Sequence, residues 1–327
     1  MPQLLADRGT GASKMNWLAA AAYALCVLAH SAHCATNSIA WCYHNPNCND
    51  NTWPSIAPKQ CNGTRQSPID IVTANVAVNP NLTAFTFNNF SSTSAMKEIK
   101  NTGNTVQVTF DSGIRVSGGD LSEAYDSLQF HLHWGNGTTI PGSEHTVDGK
   151  RYPMELHIVN IKSSHNGNIT QALGDPTGLA ALGFFIEELP GTTDQPASWK
   201  NLTSYLAHIT NASSSVDIAP GYSLDDLLAG VNRTRYYRYL GSLTTPTCNE
   251  AVVWTVFKEP IKVSKNLIDL FSNTVRLTNS TSPLMINVYR NIQPAQAVST
   301  QVATASSASK TCFSLGLMGL GVLLGRH

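Results

Sequence analysis

Charged side chains are scarce in this sequence, and the two signs balance. Lys+Arg and Asp+Glu number 21 each and together make up 13% of the 327 residues, against about 25% in an average soluble protein. A chain without net charge lacks the basic surface that neutralises phosphates, so we expect no nucleic-acid partner. The hydrophobic fraction of 42% is ordinary, which excludes a wholly disordered chain.

Apolar runs of bilayer-spanning length are also missing, but each end of the chain carries a shorter one. A bilayer core of about 30 Å needs roughly 20 apolar residues, whereas residues 17–29 and 312–324 supply 13 each. The first run follows Arg8 and Lys14 and precedes small residues. This is the arrangement of a secretory signal peptide, so we predict that residues 1–35 are removed.

The second run lies behind a polar stretch rich in Ala, Ser and Thr, which is the pattern of a GPI-attachment signal. We predict a stalk and attachment region at 298–311, with the attachment residue between Ser299 and Ser309, and a removed tail at 312–327. The alternatives are a short tail anchor or a hydrophobic end packed on the domain. We expect the protein at the extracellular face of the plasma membrane, held there by its lipid anchor only, or else secreted.

No Cys-x-x-Cys pair occurs, which argues against a zinc ribbon. Four of the seven cysteines lie outside the two terminal signals, and an even number in a secreted chain indicates two disulfides, with three possible connectivities. The plentiful Asn, Ser and Thr residues include nine glycosylation sequons. The cysteines are Cys42, Cys48, Cys61 and Cys248, and the sequons begin at Asn62, Asn81, Asn89, Asn136, Asn168, Asn201, Asn211, Asn232 and Asn279.

Residues 36–297 show no linker, repeat or long charge run, and short alternating or β-branched segments outnumber helical ones. Such a pattern predicts one mainly β domain. The predicted strands are 104–110, 113–116, 128–134, 154–161, 179–186, 251–257 and 284–289; the predicted helices are 198–209, 221–228 and 264–271, the last with Ser264 as its N-cap.

Three histidines occur at strand spacing. In QFHLHWG, from Gln129, His131 and His133 point to one face, because residues i and i+2 of a strand share a face. His157 lies in a second predicted strand, MELHIVNI, and the 23 residues between His133 and His157 include a loop long enough to bring the strands together. Three imidazoles on one face suit a Zn²⁺ site with an open fourth position. An H-x-H pair alone is more often packed in a core.

The segments around these histidines resemble those of the α-class carbonic anhydrases, in the same order along the chain. The matching motifs are RQSPIDI from Arg65, QFHLHWG from Gln129, GSEHTVDGKRYPMELH from Gly142, SLTTPTC from Ser242, WTVFKEPI from Trp254 and NIQPAQ from Asn291. The resemblance covers residues 40–297. It implies a single domain built on a large twisted, mostly antiparallel central sheet with short peripheral helices.

The same resemblance implies reversible hydration of CO₂ to bicarbonate and a proton by a zinc-bound hydroxide, with inhibition by sulfonamides. Thr244 and Glu144 match the pair that aims the hydroxide, and Thr245 matches a bicarbonate contact. The implied zinc ligands are His131, His133 and His157; the implied partners of their second ring nitrogens are Gln129, Glu155 and Asn291; and the implied CO₂ pocket comprises Val159, Ala181, Leu243, Val252 and Trp254. Ala181 stands where many relatives carry valine, which predicts a slightly roomier pocket.

The sequence departs from the family pattern at the proton shuttle. The fastest relatives carry histidine in the motif N-x-G-H, whereas this chain has Asn104, which does not titrate. We therefore predict a slower enzyme that depends on buffer for proton transfer. His44 is a candidate substitute.

The cysteines resemble those of the GPI-anchored extracellular isozymes, which implies Cys61–Cys248 and Cys42–Cys48 disulfides. Two other functions remain alternatives: a catalytically silent binding module, and a secreted matrix protein. Nothing in the sequence supports a bicarbonate-transporter partner.

Overall fold

The computed structural model describes residues 41–45 and 47–302, and of His44 it describes the backbone alone. The predicted signal peptide (1–35), residues 303–311 of the predicted stalk, the tail (312–327) and the His44 side chain lie outside the described residues. Among the described residues, no helix is both long and apolar enough to cross a membrane. The chain divides into units 1–41 and 42–327, and the following concerns the second.

Short apolar segments bounded by Gly, Pro and Asn give this unit many strands. They are His44–Asn45 (β1), Cys48–Asn49 (β2), Asp70–Ile71 (β3), Ala77–Val78 (β4), Phe85–Asn88 (β5), Met96–Asn101 (β6), Val106–Phe110 (β7), Arg115–Gly118 (β8), Tyr125–Trp134 (β9), Thr146–Val147 (β10), Lys150–Arg151 (β11), Met154–Lys162 (β12), Leu179–Glu188 (β13), Ser215–Asp217 (β14), Tyr236–Gly241 (β15), Val252–Val263 (β16) and Ser299–Thr300 (β17).

The helices are short, and the longest described has 10 residues. The α-helices are Trp53–Ile56 (α1), Ile169–Gly174 (α2), Ala197–Ser204 (α3), Leu224–Leu227 (α4) and Lys265–Thr274 (α5), and the 3₁₀ turns are Asp50–Thr52, Thr73–Asn75, Ser163–His165 and Tyr205–His208.

Twelve strands form one sheet in the order β14-β6-β7-β9-β12-β13-β16-β15-β17-β4, with β8 pairing β9 and β5 pairing β8. Most pairs are antiparallel, and β13–β16, β3–β10 and β4–β17 are parallel. The expected mainly β domain with a mostly antiparallel central sheet is therefore confirmed. β13 is buried along its first eight residues, as expected for a central strand covered on both faces.

One predicted strand is wrong. Residues 284–289 form only an isolated bridge, between Arg276 and Leu284. Asn287 has φ 55°, a left-handed conformation that interrupts an extended strand. The segment instead makes single backbone bonds: Met285 N donates to Val275 O, Val288 N donates to Trp134 O at the end of β9, and Asn287 N donates to Gly135 O just after it.

The structure differs from the sequence-based predictions at two further places, the N-terminus of α5 and the start of the predicted stalk. Ser264 precedes α5, but its hydroxyl makes no capping bond and accepts the Gln195 N–H at 2.9 Å instead. β17, at residues 299–300, lies in the segment that the sequence assigns to the polar stalk, and it pairs with β15 and β4. The folded domain thus extends past residue 297.

Candidate active site

The three histidines stand on neighbouring strands. β9 and β12 pair antiparallel, with His131 opposite His157 and His133 opposite Glu155. On the far side of β12, the residue opposite His157 is Gly183. A Cβ at Gly183 would lie 3.0 Å from Glu155 Oε1. The glycine therefore leaves room for the Glu155 carboxylate beside the His157 ring.

The histidine rings converge as their spacing predicts. The ring centroids of His131 and His133 are 5.0 Å apart, those of His131 and His157 5.3 Å, and those of His133 and His157 4.6 Å. One ligand atom from each ring lies within 4.8 Å of the other two. His133 and His157 are almost completely buried.

In each of the three histidine rings, the nitrogen that does not face the other two rings has a hydrogen-bond partner. His131 Nδ1 lies 3.0 Å from Gln129 Oε1, His157 Nε2 lies 2.8 Å from Glu155 Oε1, and His133 Nδ1 lies 2.9 Å from Val288 O. Carbonyl and carboxylate oxygens only accept, so these ring nitrogens donate. In a neutral ring the inward nitrogen is then unprotonated, as a metal ligand must be.

Burial favours the neutral form of all three rings. It lowers the pKa of His131 to about 3, with the neighbouring His157 as a further cause. The pKa values of His133 and His157 are also lowered, chiefly by burial. The cluster therefore offers three neutral imidazoles over the physiological pH range.

Two buried polar atoms facing each other have no hydrogen-bond partner. They are His133 Nε2 and Glu144 Oε2, which lie 3.4 Å apart. Buried polar atoms are nearly always satisfied, so the unpartnered His133 Nε2, within a cluster of histidines, fits a metal ligand. His131, His133 and His157 could therefore hold a metal.

A second group, His145 with Glu155 and His157, also has metal-compatible spacing. However, His145 Nδ1 lies 2.7 Å from Glu155 Oε1, and His145 Nε2 lies 2.7 Å from the Tyr239 hydroxyl. Both nitrogens of His145 are thus occupied. This group is a hydrogen-bond network that supports Glu155.

Glu144 is completely buried beside the cluster. Its Oε1 accepts the Arg290 backbone N–H at 2.8 Å. Burial raises the pKa of Glu144 to about 8, opposed by the neighbouring Thr244 hydroxyl and the Arg290 N–H. The charge on Glu144 therefore depends on whether a cation lies beside it.

A small cavity of about 50 Å³ adjoins the histidines. That is far below the 300–1,000 Å³ of a drug-sized pocket and suits a molecule of a few atoms. The structure brings all five residues of the expected CO₂ pocket and both threonines to its walls. The lining is His131, His157, Val159, Leu179, Ala181, Leu243, Thr244, Thr245, Val252 and Trp254.

Asn291 does not reach a histidine. Its backbone N and its side-chain Nδ2 donate to Asp50, at 2.9 and 3.0 Å, and the Val288 carbonyl stands at the His133 ring instead. Sequence reasoning missed Val288 because a backbone carbonyl leaves no side-chain signal. It also missed Arg290 and Tyr239, which act on the site through contacts distant in sequence.

Asn104 lies at the edge of a separate groove of about 440 Å³, which Tyr43, Leu277, Ile286 and Val288 also line. Asn104 is half-buried and follows Gly103, whose φ is 86°.

Both implied disulfides are present, Cys42–Cys48 and Cys61–Cys248. Cys248 ends a turn in which its N–H donates to Thr245 O at 2.8 Å. The long-range disulfide therefore holds the loop that carries Thr244.

A mainly β domain with three converging, hydrogen-bonded histidines beside a small apolar cavity has the layout of a catalytic metal site with an open position. The model of the eukaryotic-type carbonic anhydrase family matches residues 48–302. Carbonic anhydrase 4 of Mus musculus is 34% identical over 297 residues, which cover 90% of this chain and 93% of the relative. Carbonic anhydrase 12 of Homo sapiens is 34% identical over 294 residues (88% and 79%). Carbonic anhydrase 6 of Bos taurus is 36% identical over 255 residues (78% and 77%). The chain belongs to the carbonic anhydrase family and is an enzyme of that type.

Proposed function

We propose that the protein catalyses the reversible hydration of CO₂ with Zn²⁺ held by His131, His133 and His157. The observation that carries this proposal is the convergence of three neutral, oriented imidazoles, two of which, His131 and His157, line the 50 Å³ cavity. Zinc in such a site lowers the pKa of a bound water to about 7, which makes a nucleophile available at neutral pH.

Thr244 and Glu144 orient the attacking oxygen in this proposal. An ionised carboxylate only accepts, so a Thr244 hydroxyl that donates to Glu144 has only its lone pairs left for the site. The Thr244 hydroxyl oxygen then accepts a hydrogen bond from the attacking oxygen, which fixes the direction of the free lone pair on that attacking oxygen. The Arg290 N–H holds the carboxylate from its other side.

The apolar walls hold CO₂ next to that oxygen. Val159, Ala181, Leu243, Val252 and Trp254 offer no competing hydrogen bond, which suits a neutral linear substrate. Thr245, which lines the same cavity, contacts bicarbonate in this proposal. Ala181 leaves more room than valine would, so the pocket tolerates slightly larger substrates.

Proton release limits the rate in this proposal. Asn104 cannot exchange a proton, and the titratable side chain that shares its groove in the described part of the chain is Tyr43, whose pKa burial raises well above its ordinary value. We expect low turnover in weak buffer and acceleration by imidazole-type buffers.

The terminal signals support an extracellular, GPI-anchored and glycosylated enzyme, with secretion as the alternative. Asn232 and Asn279 are the best-placed glycan acceptors: both are exposed, and the Oδ1 of each accepts from the hydroxyl of the sequon threonine, at 2.7 and 2.8 Å. Asn211 is half-buried, and its Oδ1 is buried without a partner. Release from cells by a phosphatidylinositol-specific phospholipase tests the anchor, and glycopeptide mass spectrometry tests the sequons.

The catalytic proposal is tested by stopped-flow CO₂ hydration with and without a sulfonamide, together with the zinc content. We expect one zinc per chain and sulfonamide-sensitive hydration. Absence of stoichiometric zinc would overturn the mechanism. Stoichiometric zinc without hydration would favour the silent binding module, which the three intact histidines argue against.

A further inference from the structure

The segment 288–291 reaches the active site through backbone atoms. The Val288 carbonyl accepts from His133 Nδ1, and the Arg290 N–H donates to Glu144 Oε1. Neither atom depends on the identity of its own side chain. Their positions therefore depend on what fixes this irregular segment, which is not part of the sheet.

The Arg290 side chain is buried, with 2% of its surface exposed. Its Nη1 donates to Gln66 Oε1 at 3.0 Å and to Ser67 O at 2.8 Å. Its guanidinium lies 5.2 Å above the ring of Trp53. These contacts tie the segment to two other parts of the chain.

No carboxylate among the described residues lies within 4 Å of the Arg290 guanidinium, and its Nε has no partner. Burying an unpaired charge is costly. The nearby charges that favour its ionised form are Glu144 and Asp50. Packing alone does not require a charged side chain at this position, so the arginine calls for an explanation beyond packing.

The N-terminal arm, which we define as residues 42–57, also contacts the segment 288–291. Asp50 accepts from both Asn291 N and Asn291 Nδ2, and Trp53 Nε1 donates to Cys42 O at 3.0 Å. The Cys42–Cys48 disulfide closes the start of the arm. The arm thus contacts both Arg290 and its neighbour.

We propose that Arg290 is a positioning residue for Glu144, through which the disulfide-closed N-terminal arm fixes the backbone N–H that holds the Glu144 carboxylate. This inference rests on the proposed function, since Glu144 matters as the partner of Thr244. It gives the arm a role in turnover.

The test replaces Arg290 with methionine, which keeps an unbranched chain without the charge. Arg238→Met is the matched control: Arg238 is 7% exposed, donates to Thr255 Oγ1 and lies over the rings of Phe85 and Tyr236, away from Glu144. The zinc-loaded variants are compared in kcat, KM for CO₂, zinc affinity and melting temperature. Crystal structures give the distance from Glu144 Oε1 to the backbone N of residue 290.

We expect Arg290→Met to lower kcat about tenfold to a hundredfold, the loss that a misplacement of about 1 Å causes. KM and zinc affinity should stay within about threefold of the wild type, and the 2.8 Å contact should lengthen. Arg290→Lys should recover part of kcat, and Arg238→Met should keep kcat while its melting temperature falls. An unchanged kcat and contact in Arg290→Met, or an equal loss of kcat in Arg238→Met, would overturn the inference.

Asp50→Asn provides a second route if Arg290→Met does not fold. It removes one of the two acceptors for Asn291, so we expect a severalfold fall in kcat and a longer Glu144 contact. No change in either measurement counts against the inference. A wild-type protein with full zinc but no hydration would refute the proposed function, whereas the crystallographic distance would still report whether Arg290 positions Glu144.

Discussion

The active site has two parts that are built differently. The strand part comprises His131, His133, His157, Gln129 and Glu155 on β9 and β12, where every position follows from spacing and register. The loop part comprises Glu144, Thr244, Val288 and Arg290, which come from three segments distant in sequence. In the proposed function the strand part supplies the metal ligands, whereas Glu144 and Thr244 of the loop part orient the reaction. The two functions should therefore be separable by mutation.

The largest effect should come from breaking the strand part. His157→Gln removes one of three ligands, so we expect zinc affinity to fall by more than the roughly 10- to 100-fold typical of losing an outer hydrogen-bond partner. CO₂ hydration should fall to background. Chelator competition measures the affinity, with Gln129→Ala as a milder strand-part variant. Full zinc occupancy in His157→Gln would show that these histidines are not the ligand set.

Thr244→Ala should break the loop part and leave the strand part intact. Because the attacking oxygen loses its acceptor, we expect kcat to fall about a hundredfold with one zinc still bound. The control is Thr247→Ala, in the same loop but exposed and bonded to Asn249. Loss of zinc together with activity in Thr244→Ala would mean that the two parts are not separable.

The long-range disulfide tests how strongly the loop part depends on tethering. Cys61–Cys248 spans 187 residues, and chain-entropy models give about 4 to 5 kcal/mol for so long a loop. The Cys61→Ser, Cys248→Ser protein should melt roughly 10 °C lower and lose activity severalfold with zinc retained. The matching Cys42, Cys48 double variant spans six residues and should lose less stability. Equal melting losses in both proteins would contradict the loop-length argument.

Acid should weaken the strand part when zinc is removed. The pKa of His131 is lowered to about 3 in the fold and is about 6.5 in an unfolded chain. The folded state then binds fewer protons, so its stability is fully present above pH 6.5 and is lost as pH falls toward 3. Urea midpoints of the chelated protein at pH 7.5 and 5 should show this loss. His131→Gln should show less of it, and an identical loss would assign the effect to other groups.

The same division explains what the sequence could predict. Strand alternation in QFHLHWG and MELHIVNI indicates the shared face of the histidines and the position of Glu155, because a strand fixes side-chain direction locally, whereas Gln129 followed from the family resemblance. The resemblance located Glu144 and Thr244. It placed Asn291 at a ring nitrogen, where the structure has the Val288 carbonyl, because a motif match indicates side chains and does not indicate which backbone carbonyl faces a ring. The segment 284–289 is apolar enough to predict a strand, yet its backbone makes scattered single bonds, to Val275, Gly135 and Trp134, rather than a continuous strand pairing.

The smallest effect on turnover should come from Asn104, which lines the neighbouring groove and belongs to neither part of the active site. Asn104 lies three residues before Gln107, the neighbour of His131 across the β7–β9 pair, so it is within about 10 Å of that register position along the chain. The groove beside it leaves room for an imidazole. Asn104→His should therefore raise turnover in weak buffer roughly threefold to tenfold, below the 10² or more of a well-oriented acid–base group. In concentrated imidazole buffer the two proteins should turn over equally, since the buffer then carries the proton.

If Asn104→His gives no gain in weak buffer, another group already relays the proton, and His44→Ala in the wild-type background would identify that group by a further loss of turnover.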